Sequence, residues 1–283
     1  MLIFLLIFTI SFLSVFLLLP VVIPLFKKAD IKGINQNKPG GESIAEMGGL
    51  ITILGFGMGL ITVIALKTFF NLFPSVDLVI ILAVLSVELF IIIIGMIDDL
   101  ISMSQLGKAV VPALASLPLI ALEAGQTVMT IPFIGKIDFG FTYTLFLLPF
   151  GMTGAVNAVN MLAGFNGLEA GMGLIMFTGL LVLAIIKSKI IAMVILVPMI
   201  GSLLATLWYN WYPAEVLIGD VGTLSIGAML ASVVIIGDFE AAGLIMIVHI
   251  LLILSLKHSI NFPVNIGGAL TKMENYIVLI QAR

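Results

Sequence analysis

The sequence predicts an all-α polytopic membrane protein of about nine to ten transmembrane helices. Three observations predict it. Hydrophobic residues make up 61% of the 283 and charged residues 10%, where a soluble domain is about half apolar and a quarter charged. Mean hydropathy is +1.31, more apolar surface than a water-facing globule can bury, so lipid must cover the rest. The apolar residues also fall in runs of about 20, the length a helix needs to cross a hydrocarbon core about 30 Å thick. The length suits one integral membrane domain, 1–283, better than several.

The first run, 2–25, has no basic segment before it and no small-x-small cleavage site, and reads as a retained span rather than a signal peptide. The next are 47–70 and 77–97. The fourth, 109–124, is short and carries Pro112 and Pro118. It is needed because its flanking polar loops would otherwise sit in lipid. Five more follow at 143–160, 168–187, 189–208, 222–237 and 241–256. Between the fourth and fifth, "TIPFIGKIDFGF" alternates large apolar residues around Gly135-Lys136. That reads as a small external β-hairpin without chemistry.

Nine spans place the loops 26–46, 98–108, 161–167, 209–221 and 257–274 on one side. The basic residues divide unevenly. Lys27, Lys28, Lys32, Lys38, Lys108, Lys257, Lys272 and Arg283 lie on that side, against Lys67, Lys136, Lys187 and Lys189 on the other. Positive residues favour the cytoplasm, so the first group of loops is expected there and the N-terminus outside. The net charge of −3, with no basic run beyond Lys27-Lys28, argues against a nucleic-acid partner. The absence of cysteine excludes disulfides and thiolate metal sites.

Nearly every unusual polar group sits in the cytoplasmic set. "KPGGESIAEMGG" carries Glu42 and Glu46, and "IGMIDDLISMSQLGK" carries Asp98, Asp99 and Lys108. "VNAVNMLAGFNGLEAG" carries Asn157, Asn160, Asn166 and Glu169; "NWYPAEVLIGDVGTLSIG" carries Asn210, Glu215 and Asp220; "KHSINFPVNIGG" carries His258. Taken singly each has a plain explanation: solvated acids, helix caps, a Gly-Asp-x-Gly turn. Their collection on one side is what plain explanations do not supply, and ionisable groups at membrane depth are functional candidates. Asn157 and Asn160, three apart, share a helix face. The aspartates offer hard oxygens suited to Mg²⁺ or Mn²⁺, and Lys108 offers a point charge for phosphate. Cation, lysine and amides together suit a diphosphate ligand.

In these residues the chain resembles the polytopic polyprenyl-phosphate N-acetylhexosamine-1-phosphate transferases. Four stretches carry the likeness: "EMGG", the "DD" with its lysine nine residues on, "NAVNMLAGFNGLEAG" and "NWYPAEVLIGDVGTLSIG". Bacterial relatives usually read NxxDGxDGL where this chain reads "NMLAGFNGLE", and the peptidoglycan enzyme has a histidine-rich loop where this chain has His258 alone. The resemblance is therefore to the archaeal and eukaryotic branch, which makes the first lipid-linked sugar of N-glycosylation.

The resemblance implies transfer of N-acetylglucosamine-1-phosphate from UDP-N-acetylglucosamine to a polyprenyl (dolichyl) phosphate, releasing UMP. It implies Mg²⁺, with Mn²⁺ as a substitute, held by Asp220 and Asn160. Asn166 and its glycine turn would read uracil, with Leu217 at the position of a stacking aromatic in some relatives. Lys108 would bind phosphate, Asp98 and Asp99 would position or deprotonate the lipid phosphate, and Glu46 and Asn157 would line the site. His258 would cover the sugar, although Lys257 and Ser259 stand where relatives often have arginine. Relatives have ten spans; "YIVLIQAR" reads either as the start of a tenth that is missing or as the end of a shorter variant or fragment. The location implied is an archaeal-like cell membrane or the endoplasmic reticulum, and a homodimer is compatible with it. Two alternatives stay open: the same chemistry on another UDP-N-acetylhexosamine or the UDP-linked peptidoglycan precursor, and a cation-coupled transporter using mid-span acids, Glu88 first, with Glu123 near a span end.

Overall fold

The structure is a computed structural model that describes residues 2–35, 42–101, 103–131 and 135–259, the side chains of 130–131 and 256–259 excepted. α1 (Leu2–Lys28) has no charge before Lys27 and Lys28 in its last turn, where the helix dipole favours cations. α2 (Gly48–Phe70) stops at Asn71, whose backbone is left-handed at φ 52° and whose N–H returns to the Leu66 and Lys67 carbonyls, the stop that asparagine tolerates. α3 (Leu78–Ile101) carries Asp98 and Asp99 at its C-terminal end.

The expected fourth span is broken. α4 (Gln105–Val110), a 3₁₀ turn over Val111–Ser116 and α5 (Leu117–Ala121) replace one continuous helix. Pro112 and Pro118 are the cause, since each removes a backbone donor and clashes with the preceding turn. α6 (Leu148–Leu162) follows a π-helical turn over Tyr143–Leu147. α7 (Leu168–Ile186), α8 (Ile190–Asn210), α9 (Gly219–Gly237) and α10 (Glu240–Ser259) complete the described chain.

Among the described residues seven helices are long and apolar enough to cross a membrane: α1, α2, α3, the Tyr143–Leu162 segment, α7, α8 and α9. The other two expected spans, Gln105–Ala121 and Glu240–Ser255, are shorter apolar helices. The all-α polytopic membrane fold stands, with a belt of exposed leucine, isoleucine and phenylalanine on the outward faces of its helices.

Among the described residues two hairpins interrupt the helices. β1 (Lys32–Ile34) pairs antiparallel with β2 (Ser43–Ala45), Gly33 opposite Ile44. β3 (Val128–Ile131) pairs with β4 (Gly135–Asp138), Val128 opposite Asp138. The second is the hairpin expected from alternation around Gly135. The first was not expected: its strands are three residues long, too short for a period to register.

α9 is the axis of the bundle. Its apolar window is 78% buried, against 22% for α1. Small residues let neighbouring backbones reach it. A Cβ on Gly95 of α3 would meet Val221 Cα at 2.5 Å, one on Gly49 of α2 would meet Gly222 Cα at 2.3 Å, and one on Gly227 would meet Val156 Cα of α6 at 2.5 Å. Close backbone approach through glycine is how helices pack where no hydrophobic drive exists between them. It brings the ends of α3, α6 and α9 to one place.

Candidate active site

Gly219 opens α9 at φ +72°, and a Cβ there would lie 2.8 Å from Asp99 Oδ2. The turn therefore needs glycine twice over, for its backbone angle and for the carboxylate that fills the Cβ position. Asp99 accepts the backbone N–H of Asp220 at 2.7 Å and that of Val221 at 3.2 Å. It caps α9 from another helix, satisfying donors that a helix start leaves without partners. The resemblance implies a part for Asp99 in handling the lipid phosphate; the bonds it makes here hold Asp220, the residue that follows Gly219.

Asp98 faces the other way. Its Oδ1 accepts the Met103 N–H at 2.9 Å, and its Oδ2 lies 2.6 Å from Lys108 Nζ. The same ammonium lies 3.3 Å from Asp220 Oδ2. Asp98 is 4% exposed, so the lysine is what makes its burial tolerable. Burial pulls the lysine down, but Asp98 and Asp220 outweigh it and leave the Lys108 pKa above its ordinary value. Two carboxylates from α3 and α9 thus converge on one positive centre.

α6 brings the amides. Asn157 donates to the Thr153 carbonyl at 2.9 Å and, at 3.4 Å, to the Ala109 carbonyl. Asn160, one turn on, accepts the Thr223 hydroxyl at 2.9 Å. Asn157, Asn160 and Lys108 line a cleft of about 410 Å³ together with Gln105, Thr153, Gly154, Phe150 and Met161. Phe150 and Met161 are 78% and 66% exposed, so the cleft joins the polar centre to the lipid-facing side of α6.

Asn166 sits in the turn between α6 and α7, and Gly167 beside it has φ +77°. The turn is fastened on both flanks. Gly164 N–H donates to Glu169 at 2.8 Å, and Gly167 N–H donates to Asn210 Oδ1 at 3.0 Å. Asn210, 1% exposed, donates its own amide to the Val216 carbonyl at 2.9 Å. Leu217 follows at once: its N–H donates to the Ala45 carbonyl at 2.8 Å, and its carbonyl accepts Gly48 N–H at 2.9 Å. Ala45 and Val216 also form a parallel bridge. The first hairpin, the α6–α7 turn and the α8–α9 loop are thereby one assembly.

Glu46 leaves that hairpin on the way to α2, beside Gly33. Burial first, and then the negative charge of Asp220, push its pKa above the ordinary glutamate value. His258 ends in α10 with its side chain outside the described residues, so its expected place over the sugar has no geometry here.

Where described, the loops 26–46, 98–108, 161–167 and 209–221 that span counting assigned to one side meet at one end of the bundle, while 257–274 lies almost entirely outside the described residues. Asp98, Asp99, Lys108, Asn160 and Asp220 share one bonded network, Asn157 lines its cleft, and Glu46 and Leu217 border it through the hairpin. Two residues had no role assigned from the sequence: Thr223, which joins this network, and Asn210, which joins the loops beside it. Asn210 was visible as an amide at a span end. Thr223 had a signal only in its spacing, three after Asp220.

The donor set suits a hard divalent cation. Among the described residues no three His, Asp or Glu side chains form a ready metal cage. Magnesium typically takes one or two carboxylates and completes its shell with waters and substrate phosphates, which is what the Asp220 carboxylate and the Asn160 amide leave room for.

Fold and site together define a helical membrane protein with acids, amides and a lysine gathered at one end of the bundle, the lysine and amides lining a cleft. The chain belongs to glycosyl transferase family 4, whose model matches residues 78–238, from the start of α3 to the end of α9. A Sulfolobus acidocaldarius protein named as a UDP-N-acetylglucosamine–dolichyl-phosphate N-acetylglucosaminephosphotransferase is 36% identical over 223 residues, 78% of this chain and 67% of that one. A Dictyostelium discoideum protein of the same name is 27% identical over 263 residues, 79% of this chain and 64% of its own length. A Limosilactobacillus fermentum phospho-N-acetylmuramoyl-pentapeptide-transferase is 37% identical over 140 residues, 49% of this chain and 44% of its own.

Proposed function

We propose that the protein transfers N-acetylglucosamine-1-phosphate from UDP-N-acetylglucosamine to a polyprenyl phosphate of the dolichyl type. A lipid phosphate oxygen bonds to the β-phosphorus of the nucleotide sugar as the bond to the bridging oxygen breaks. UMP leaves with that oxygen, and the lipid carries a diphosphate-linked sugar. The observation that carries this reading is the cleft that joins Lys108 and the α6 amides to the exposed Phe150 and Met161. An amphiphile with a phosphate head and a long apolar tail matches it. The names of the archaeal and eukaryotic relatives support the same substrates.

The roles divide by chemistry. Lys108 holds positive charge where the phosphates meet. Asp98 keeps that lysine protonated and in place. Asp220 and Asn160 would hold Mg²⁺, which supplies charge neutralisation for the diphosphate when bound. Asp99 fixes Asp220 through its backbone. Asn166 and Leu217, joined through Asn210, form the border on which the uridine rests, and Asn157 and Glu46 close the walls. The eight-to-four division of basic residues that span counting gives supports a cytoplasmic site, in an archaeal-like cell membrane or the endoplasmic reticulum.

A transporter would need ionisable groups facing one another at mid-span. Glu88 is 1% exposed and faces Ser225 of α9, and the ion pairs among the described residues lie at helix ends and in loops. Incubation of the purified protein with several UDP-sugars, Mg²⁺ and dolichyl or undecaprenyl phosphate, with mass spectrometry of the lipid, tests the proposal. A lipid heavier by one N-acetylhexosamine phosphate is expected from UDP-N-acetylglucosamine. Product from the UDP-linked peptidoglycan precursor alone would assign the chain to that other substrate.

A further inference from the structure

Thr223 lies one turn into α9 and is 2% exposed. Its hydroxyl has two acceptors within reach, Asn160 Oδ1 at 2.9 Å and the Asp220 carbonyl at 3.2 Å. One group thus touches the amide on α6 and the turn of α9 that bears the Asp220 carboxylate. We infer that Thr223 is a positioning residue: it sets the Asn160 amide relative to Asp220 and thereby tunes the affinity of this pair for a divalent cation. The inference rests on the cation role proposed for Asn160 and Asp220.

The chemistry of a hydroxyl explains why threonine serves here. It is donor and acceptor at once, and an amide has one face of each kind. As found, the Thr223 proton goes to Asn160 Oδ1. With that proton on the Asp220 carbonyl instead, the hydroxyl oxygen accepts an N–H from the amide turned over, and Oδ1 is released to a cation. Thr223 therefore holds Asn160 in either orientation without leaving a buried polar atom unpaired. Valine, equal in shape, holds it in neither. Serine holds it in both.

The test is Mn²⁺ titration of the purified full-length chain, followed by electron paramagnetic resonance, in the absence of substrate. Thr223→Val should bind Mn²⁺ about 10–100-fold more weakly, the loss usual when a group that orients a metal ligand is removed. Thr223→Ser should stay within about twofold of the parent, since it keeps the hydroxyl. Thr223→Ala carries the same expectation as valine and stands in if valine does not fold. Asp220→Ala separates the two levels of the argument. If it binds Mn²⁺ like the parent, the cation role itself is overturned. If Asp220→Ala loses the ion while Thr223→Val and Thr223→Ala keep parental affinity, only the positioning role falls. A serine variant as weak as valine also overturns it, because packing rather than the hydroxyl would then be at work.

Discussion

The Asp99 carboxylate accepts the backbone N–H of Asp220 at 2.7 Å, so one member of the adjacent acid pair builds the site while the other carries its charge. Capping of this kind is worth about 0.5–2 kcal/mol. Asp99→Asn keeps an acceptor for one of the two N–H groups, whereas Asp99→Ala keeps none. The asparagine variant should retain turnover within about tenfold of the parent, and the alanine variant should lose more than about a hundredfold and melt earlier, as expected for a lost cap. Equal loss in both would instead give Asp99 a proton-transfer role. Radiolabelled transfer assays and thermal unfolding in detergent check this.

Lys108 and Lys136 give a matched pair. Lys108 bridges Asp98 and Asp220, while Lys136 stands on β4 of the other hairpin. Lys108→Ala should lower turnover at least about a hundredfold, the scale of losing one preorganised charge at a transferring phosphate. Lys136→Ala should be silent. Similar behaviour of the two would remove the phosphate role of Lys108.

Glu46 makes stability depend on pH. Its folded pKa lies above the ordinary glutamate value through burial and the charge of Asp220. The folded chain then binds more protons than the unfolded one as pH rises from about 4.3, so stability falls across that window. Glu46→Gln removes the titration. Its melting temperature in chelator should match the parent near pH 4 and exceed it increasingly toward neutral pH. A difference that is flat or shrinks with pH would refute the assignment.

Much of the fold was legible because hydrophobic runs of span length are a strong signal, and α1, α2, α3, α7 and α8 fall where those runs do. The fourth span was not, since composition marks the apolar residues of 109–124 but the break comes from Pro112 and Pro118 acting within short helices. Span parity also brought Asp98, Asn160 and Asp220 to one end, because each crossing reverses the chain. What parity cannot resolve is which atom meets which. Asp99 and Asp98 are neighbours in sequence, yet the helix turns their carboxylates to different partners. Thr223 looked like one more small polar residue in a span.

Asn210 joins the α6–α7 turn to the loop before α9 through its two amide bonds. Asn210→Ala leaves the Gly167 N–H and the Val216 carbonyl without it, at a cost of about 1–3 kcal/mol. The KM for the UDP-sugar should rise more than kcat falls, because the change loosens the border near Asn166 and Leu217 and leaves Lys108 untouched. Steady-state kinetics with a melting curve decide. A pure loss of kcat would place Asn210 elsewhere in the reaction.

The most direct measurement is the identity of the nucleotide released when the purified protein acts on UDP-N-acetylglucosamine and dolichyl phosphate with Mg²⁺. UMP is expected, one per lipid product formed, and neither product from Asp220→Ala. Release of UDP, or undiminished turnover by that variant, would contradict the proposed transfer.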